Sequence, residues 1–385
     1  MTVTTRPRPD YDPLGVRLPG FRLDAALESG PGFDDNTTPE ANRRRSAAFL
    51  GETAELRLSS TFTRHALNLF ASQDTRQYAG DGDRSWIDHT VGFNGRYDIG
   101  RASSVGFEYR HLRGHLDTTD FDVQTGSLTR PLPFESDIVR LTGVGAFNRL
   151  TLDGALDYRT VRYEEKGTAV VPTGYADFSD HDVLVGEGRL TYSLLPGRSL
   201  SLLSRLTDIS YRRADQRGRD SFTWEVLGGV QYDLTGLWAA RIEVGYRQRD
   251  YEDPSLARLS GPAFEGQITY MPSQLVTIAL TGQRTIEESI RAQSVSYTRT
   301  AAKLGVDYEL RRNVILSAEL TGEQREYTRP RDTVSDAILL LSGRLLLNRS
   351  ATLIGSYQYV RRLEAADGFE EYDRNLVQLR LRFAL

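Results

Sequence analysis

Five histidines are the first residues to weigh for chemistry: His65, His89, His111, His115 and His181. His111 and His115 have a metal-like spacing. The pattern around them, however, places one at a strand end and the other in a polar loop from His111 to Phe134, where four residues apart does not define a common face. The chain has no Cys and no G-x-S-x-G nucleophile motif, so neither a thiol nor a serine elbow is available. Asp34-Asp35-Asn36 and Asp81-Gly82-Asp83 are rich in oxygen ligands of the kind Ca²⁺ takes, but the same residues are ordinary turn formers. The expectation is no enzyme, no metal and no cofactor.

The remaining chemistry is a set of ionic side chains at alternate positions. Arg205, Glu225, Asp233, Arg241, Glu243, Arg247, Arg249, Glu265, Arg299, Lys303, Asp307, Glu309, Glu319, Glu323, Arg380 and Arg382 all fall on the polar face of alternating segments. Their signs are mixed, so Arg–carboxylate pairs between neighbouring strands are expected. Such residues either form structural ladders or set a selectivity zone along a wet lumen. The mixture predicts no strong preference for anions or cations.

The elements that must position them are clearest from Phe222 to Tyr246. Phe222, Trp224, Val226, Val230, Tyr232 and Leu234 share one face, and Thr223, Glu225, Gln231 and Asp233 the other, with Leu227 the exception. After Thr235-Gly236, Trp238, Ala240, Ile242, Val244 and Tyr246 oppose Arg241, Glu243, Arg247 and Arg249. A period of two is that of a strand, and two such arms around a Gly-containing turn make a hairpin. Soluble strands run to about 5–6 residues, whereas a tilted membrane strand needs about 9–11. These arms are long, and their apolar face carries aromatic residues at both ends of an aliphatic band. That is the girdle pattern of a barrel whose apolar face meets lipid. The girdle residues expected on this reasoning are Phe222, Trp224, Tyr232, Trp238, Tyr246, Tyr270, Tyr308, Tyr357, Tyr359 and Phe383.

Composition agrees. The chain has 385 residues, a net charge of −4 and a mean hydropathy of −0.44. The longest apolar run, Ala337 to Leu341, is far short of the roughly 18 residues of a spanning helix. A barrel escapes that test because only alternate residues face lipid. The near-neutral balance argues against a nucleic-acid partner. The start, MTVTTRPRP, has no apolar core of a secretory signal. A cytoplasmic location is one reading of that; the reading adopted is a mature outer-membrane chain whose signal has been removed.

Residues 1–20 are Pro-rich and unpatterned, and are expected to be extended, in the periplasm or at the barrel mouth. Residues 21–385 then read as one unit of about 18 arms. Short turns at Gly100, Asn148, Pro196, Thr235, Met271-Pro272-Ser273, Arg311 and Asn348 alternate with longer polar connections. A loop GPGFDDNTTPEANRRRS follows the first arm, and the loops His111 to Phe134 and Tyr163 to Asp180 are the longest of the others. Register is unclear near residues 62–72 and 335–347. The fold class expected is all-β: a transmembrane antiparallel up-and-down β-barrel of about 18 strands, with both chain ends on the periplasmic side.

Two stretches carry a resemblance. RPRPDYDPLGVRLPGF (Arg6 to Phe21) with LESGPGFDDNTT (Leu27 to Thr38), and QDTRQYAGDGDRSW (Gln73 to Trp86), resemble the outer-membrane β-barrel porin family called beta-barrel porin 2. Members often sit in gene clusters for exopolysaccharide production, so the resemblance implies an export role. The last strand, LVQLRLRFAL, looks like an outer-membrane assembly signal, although Phe383 stands two residues short of the end.

A barrel of 16–18 strands encloses an aqueous channel unless something plugs it. The plug candidates are the two long loops and the N-terminal segment; Tyr175 and Phe178 could stack on sugar rings or pin their loop to the wall. The leading expectation is an outer-membrane conduit for exopolysaccharide, in contact with the lipid bilayer and lipopolysaccharide and with polysaccharide and periplasmic export proteins as further partners. The alternatives are a general or sugar diffusion porin, and a structural or adhesive barrel with a plugged lumen.

Overall fold

The computed structural model describes every residue except 127, 129, 165–175, 235 and 292. A short strand β1 (Val16–Leu18) precedes the long ones. These are β2 (Phe21–Asp34), β3 (Ala47–Ser60), β4 (Ala66–Tyr78), β5 (Trp86–Asp98), β6 (Ser103–Leu116), β7 (Leu132–Phe147), β8 (Leu150–Tyr163), β9 (His181–Leu195) and β10 (Arg198–Tyr211). The second half holds β11 (Ser221–Leu234), β12 (Trp238–Tyr251), β13 (Leu259–Ser273), β14 (Val276–Glu288), β15 (Ser296–Arg311), β16 (Val314–Tyr327), β17 (Thr333–Leu346), β18 (Ala351–Glu364) and β19 (Asp373–Ala384). A five-residue helix, α1 (Phe121–Thr125), sits between β6 and β7.

Each long strand pairs antiparallel with its sequence neighbours, and β19 pairs with β2, closing the ring; β1 hangs on β2 through Val16↔Leu23 and Leu18↔Phe21. Closure removes every free edge, as a membrane-spanning sheet requires. The alternation then decides which face is outside. Val230 is 51% exposed and Val244 58%, while Leu227 is 1% and Glu243 0% exposed. Aliphatic and aromatic residues thus face outward and the ionic residues inward. Leu227, out of pattern by sequence, packs with Leu203 and Ala263 on the inner wall.

Several boundaries differ from the pattern. The first arm continues through Gly30-Pro31-Gly32 to Asp34, pairing with Gly51, Leu50 and Phe49, so GPGFD is strand and not loop. Gly30 and Gly32 are required there: side chains would collide with the Leu379 carbonyl and the Phe49 ring. β6 runs to Leu116 and β7 starts at Leu132, so the loop expected from His111 to Phe134 is residues 117–131, and His111 and His115 are strand residues. The turn expected at Met271-Pro272-Ser273 lies after Ser273, because the strand passes Pro272 with a register shift. In β17 the pairings Leu341↔Ala318 and Leu340↔Glu319 turn Leu341 outward and Leu340 inward. Residues 1–20 are not simply extended: Tyr11 and Asp12 donate their N–H groups to the Arg8 carbonyl in a turn (2.8 and 2.7 Å).

Candidate functional site

Alternation puts the whole polar face inside, and its members meet by ion pairing across neighbouring strands. On β9–β13, Arg205 bonds Glu187 (2.9 Å), Glu225 (2.5 Å) and Glu265 (3.5 Å). Arg189 on β9 reaches Glu243 on β12 (3.0 Å) and Glu265 on β13 (3.4 Å), and Arg247 pairs with Glu225. On β15–β16, Glu323 takes Arg299 and Arg325, and Lys303 pairs with Glu319 (3.2 Å). On β19 and β2, Arg380 and Arg382 share Glu28 (3.0 and 2.6 Å). Asp307 accepts from the Ser317 hydroxyl (2.6 Å), Asp233 stands near a short turn opposite Ala239, and Arg241 borders a cavity of about 500 Å³ with Gln267 and Thr281.

Four of these residues point inward but are covered by protein. Glu225, Glu243, Arg249 and Glu309 are each under 5% exposed. A buried charge requires a partner, and each has one: Arg249 pairs with Glu288, and Glu309 with Arg6 and Arg8 of the N-terminal segment. Of the expected girdle residues, Tyr232, Trp238, Tyr270, Tyr308 and Phe383 stand near the short-turn end, with Trp238 stacked on Tyr270 at 4.0 Å. Phe222, Trp224 and Tyr359 stand toward the long-loop end. Tyr246 lies lower, opposite Val226, and Tyr357 is at mid-strand between Leu341 and Val377.

The 117–131 loop was the feature least readable from sequence. It leaves the β6–β7 wall and meets strands halfway round the ring. Phe121 is fully buried among Tyr297, Tyr327, Val334 and Ala366, with Phe369 beside them. Val123 and Leu128 pack on Leu132, Ala176 and Ile290. Polar contacts fix the same loop: Asp117 to Arg374 (3.3 Å), Asp120 to Arg325 (3.2 Å), and the Tyr327 hydroxyl donating to Asp122 (2.7 Å). Arg362 donates to the Gln124 side chain (2.7 Å) and the Thr119 carbonyl (2.9 Å). Burial, then the neighbouring Asp120 charge, raises Asp122 to about 6 against hydrogen bonds from Tyr327 and Ser289. For Asp117 burial also works upward, but Arg374 and the Thr119 N–H and hydroxyl outweigh it and hold it at about 2. Arg325, Arg362 and Arg374 could have been found by extending the same alternation; nothing periodic marks their loop partners.

The segment 1–20 crosses part of the other end. The Val3 N–H donates to the Thr277 hydroxyl (2.9 Å), Arg8 bonds the Val3 carbonyl and Glu309 (2.7 Å each), and Arg349 donates to the Pro9 carbonyl (2.8 Å). In the third plug candidate, Tyr175 lies outside the described residues, and Phe178 has the Arg219 guanidinium over its ring at 5.3 Å.

The histidines and acidic turns are engaged in local pairs. His111 bonds Asp137 (3.0 Å), and His115 bonds Asp88 (2.9 Å) and stacks on Trp86. Asp34 is sealed against Arg374 (2.6 Å), Asp35 accepts from Asn375, and Asp81 takes Arg84. Among the described residues no group of three His, Asp or Glu converges to hold a metal.

The family model described as "Putative beta-barrel porin 2" matches residues 8–385, and the chain belongs to that family. It is therefore a non-enzymatic, porin-like channel barrel of the outer membrane. Among solved structures it is similar to OccAB3 of Acinetobacter baumannii, at 11% identity and a TM-score of 0.50, covering 96% of this chain and 100% of that one. OpdL of Pseudomonas aeruginosa gives 13% and 0.49, covering 96% and 99%. The siderophore receptor PirA of Acinetobacter baumannii gives 8% and 0.48, covering 94% and 80%. At these identities the likeness to OccAB3 shows the fold alone. No curated protein matches the chain in sequence.

Proposed function

We propose that this barrel is an outer-membrane conduit for exopolysaccharide, closed at rest by the 117–131 loop. The observation that carries the reading is that loop's attachment to the far wall. Apolar packing of Phe121 and Val123 combines there with polar contacts to Tyr327, Arg325, Arg362 and Arg374. A ring of this size would otherwise leave a wide aqueous path, and a bacterium that holds one shut retains a route for cargo too large for a permanent pore. Below the loop the wall offers hydroxyls, amides and matched charges, including Lys303–Glu319 and Arg299–Glu323, which suit a hydrated polymer and give it nowhere to bind irreversibly. The family resemblance, with its link to exopolysaccharide gene clusters, points the same way.

In this reading the short turns face the periplasm, and residues 1–20 present a handle there for export proteins. The inward ionic residues from Arg205 to Arg382 line the route or brace its wall, and the outward aromatic residues anchor the barrel in lipid and lipopolysaccharide. Deleting the gene and measuring surface polysaccharide tests the reading, and unchanged secretion overturns it. Planar-bilayer recording of the purified protein separates it from a diffusion porin: a closed conduit stays silent, whereas a porin conducts steadily.

A further inference from the structure

One cavity of the interior holds donors that the chain itself leaves unused. Its volume is about 680 Å³, and it lies between the β17–β19 wall and strands β2–β5, with Tyr11 to Pro13 at one edge. Strand pairing sets Arg344, Ile354 and Arg380 in one row across β17, β18 and β19, and Ser342, Ser356 and Gln378 in the next inward row. Two strand spacings put the two arginine backbones about 10 Å apart.

The carboxylates of this cavity already have donors. Glu28 takes Arg380 and Arg382, Glu55 takes Arg382, Glu52 accepts from the Ser29 hydroxyl, Asp74 accepts from the Thr53 hydroxyl, and Asp12 accepts the Arg8 N–H. The donors left over are guanidinium N–H groups. Arg344 has no hydrogen bond or ion pair among the described residues, and the Nε of Arg380 is buried without a partner. A guanidinium fork matches a carboxylate, and the adjacent hydroxyls and side-chain amides match alcohol groups on a ring.

We propose that the Arg344–Arg380 row and its Ser342–Ser356–Gln378 neighbour bind an acidic saccharide, a hydroxylated ring bearing a carboxylate. This rests on the conduit reading and gives it a substrate class. On β9–β13, by contrast, the arginines Arg189, Arg205 and Arg247 are each engaged with glutamates.

Trp86 borders this cavity, whereas the other two tryptophans, Trp224 and Trp238, are on the outward face. Intrinsic fluorescence of the full chain in detergent therefore reports binding here. Titration with a galacturonate hexamer is expected to give a saturable change, at least ten-fold tighter than with maltohexaose. Arg344→Gln, which breaks no bond within the protein, is expected to weaken the acidic ligand about ten-fold and leave the neutral one unchanged. Equal binding of the two sugars, an unaltered affinity in Arg344→Gln, or no binding of either would each overturn the proposal. The conduit reading is judged separately by the secretion assay. If secretion is unchanged while the acidic hexamer still binds, the site stands and the direction or size of the cargo must be revised.

Discussion

The loop crossing the long-loop end and the segment crossing the short-turn end occupy comparable places, but different forces hold them. Residues 117–131 bury a cluster of aromatic and aliphatic side chains and add several polar contacts, spread over β16, β18 and β19. Residues 1–15 bury Val3 and otherwise depend on main-chain hydrogen bonds and on one carboxylate, Glu309, shared by Arg6 and Arg8. Apolar burial is little affected by salt or pH, whereas a shared ion pair is lost when its single acceptor is lost. The first attachment is distributed and the second concentrated, so they should fail in different ways.

The largest effect should come from excising residues 118–130 and bridging the gap with a short Gly-Ser linker. A barrel silent in planar bilayers is then expected to conduct steadily, with at least a ten-fold rise in mean current. An excised barrel that folds, resists heat in detergent and stays silent would show that the loop does not close the channel. Next comes Phe121→Ala, which removes the centre of the aromatic cluster. A fully buried Phe is worth about 3–5 kcal/mol over Ala, and the cost falls on docking of the loop, since the strands pair without it. Frequent opening events and new protease cleavage within 117–131 are expected, with barrel thermal stability preserved. Unchanged protection of the loop would mean that the polar contacts suffice alone.

What could be foreseen divides along the same line. Lipid imposes a period of two on every strand, so the outward faces, the ring of 18 long strands and the inward ionic residues were legible from alternation. Leu227 and β17 resisted it because the inner wall is not uniformly wet: Leu203, Leu227 and Ala263 form a dry patch beneath the arginines, and an inward Leu340 looks like a lipid-facing one. Pairing was foreseeable in kind but not in detail. Nothing local shows that Arg189 passes over two strands to reach Glu243, or that Glu309 serves the N-terminal segment instead of the lumen. The loop latch was least visible, because Asp117, Asp120 and Asp122 read as turn residues until the ring closes and brings β16, β18 and β19 opposite them.

Concentration of the second attachment predicts a sharp response to Glu309→Gln. The change keeps the shape and removes the charge that Arg6 and Arg8 share. Loss of the buried negative charge that two guanidiniums share should cost about 2–3 kcal/mol, reduced here because Arg6 is partly exposed. Amide hydrogen exchange of residues 3–12 should accelerate by more than ten-fold, with no change in residues 117–131. Acceleration at both ends would mean that the two closures are coupled through the barrel.

The smallest effect expected is a pH dependence confined to the loop. Asp122 is raised from an ordinary 3.8 to about 6 by burial and by Asp120, so the docked loop binds a proton more readily than the released one. Docking is then firmest below about pH 4 and weakens as pH rises through 6. Asp117 has the opposite sign: its folded value near 2 makes a contribution that is complete above about 4 and lost only in stronger acid. Between pH 5 and 7.5 Asp122 therefore acts alone of the two. With Asp120, Tyr327, Ser289 and Arg325 around Asp122, and Arg291 over the Tyr327 ring, the difference should be about 1–2 kcal/mol. Opening frequency should rise five- to thirty-fold over that range. Asp122→Asn should flatten the profile, while Glu309→Gln should leave it intact. A profile that persists in Asp122→Asn would assign the titration to another group and leave the latch without a pH-sensitive element.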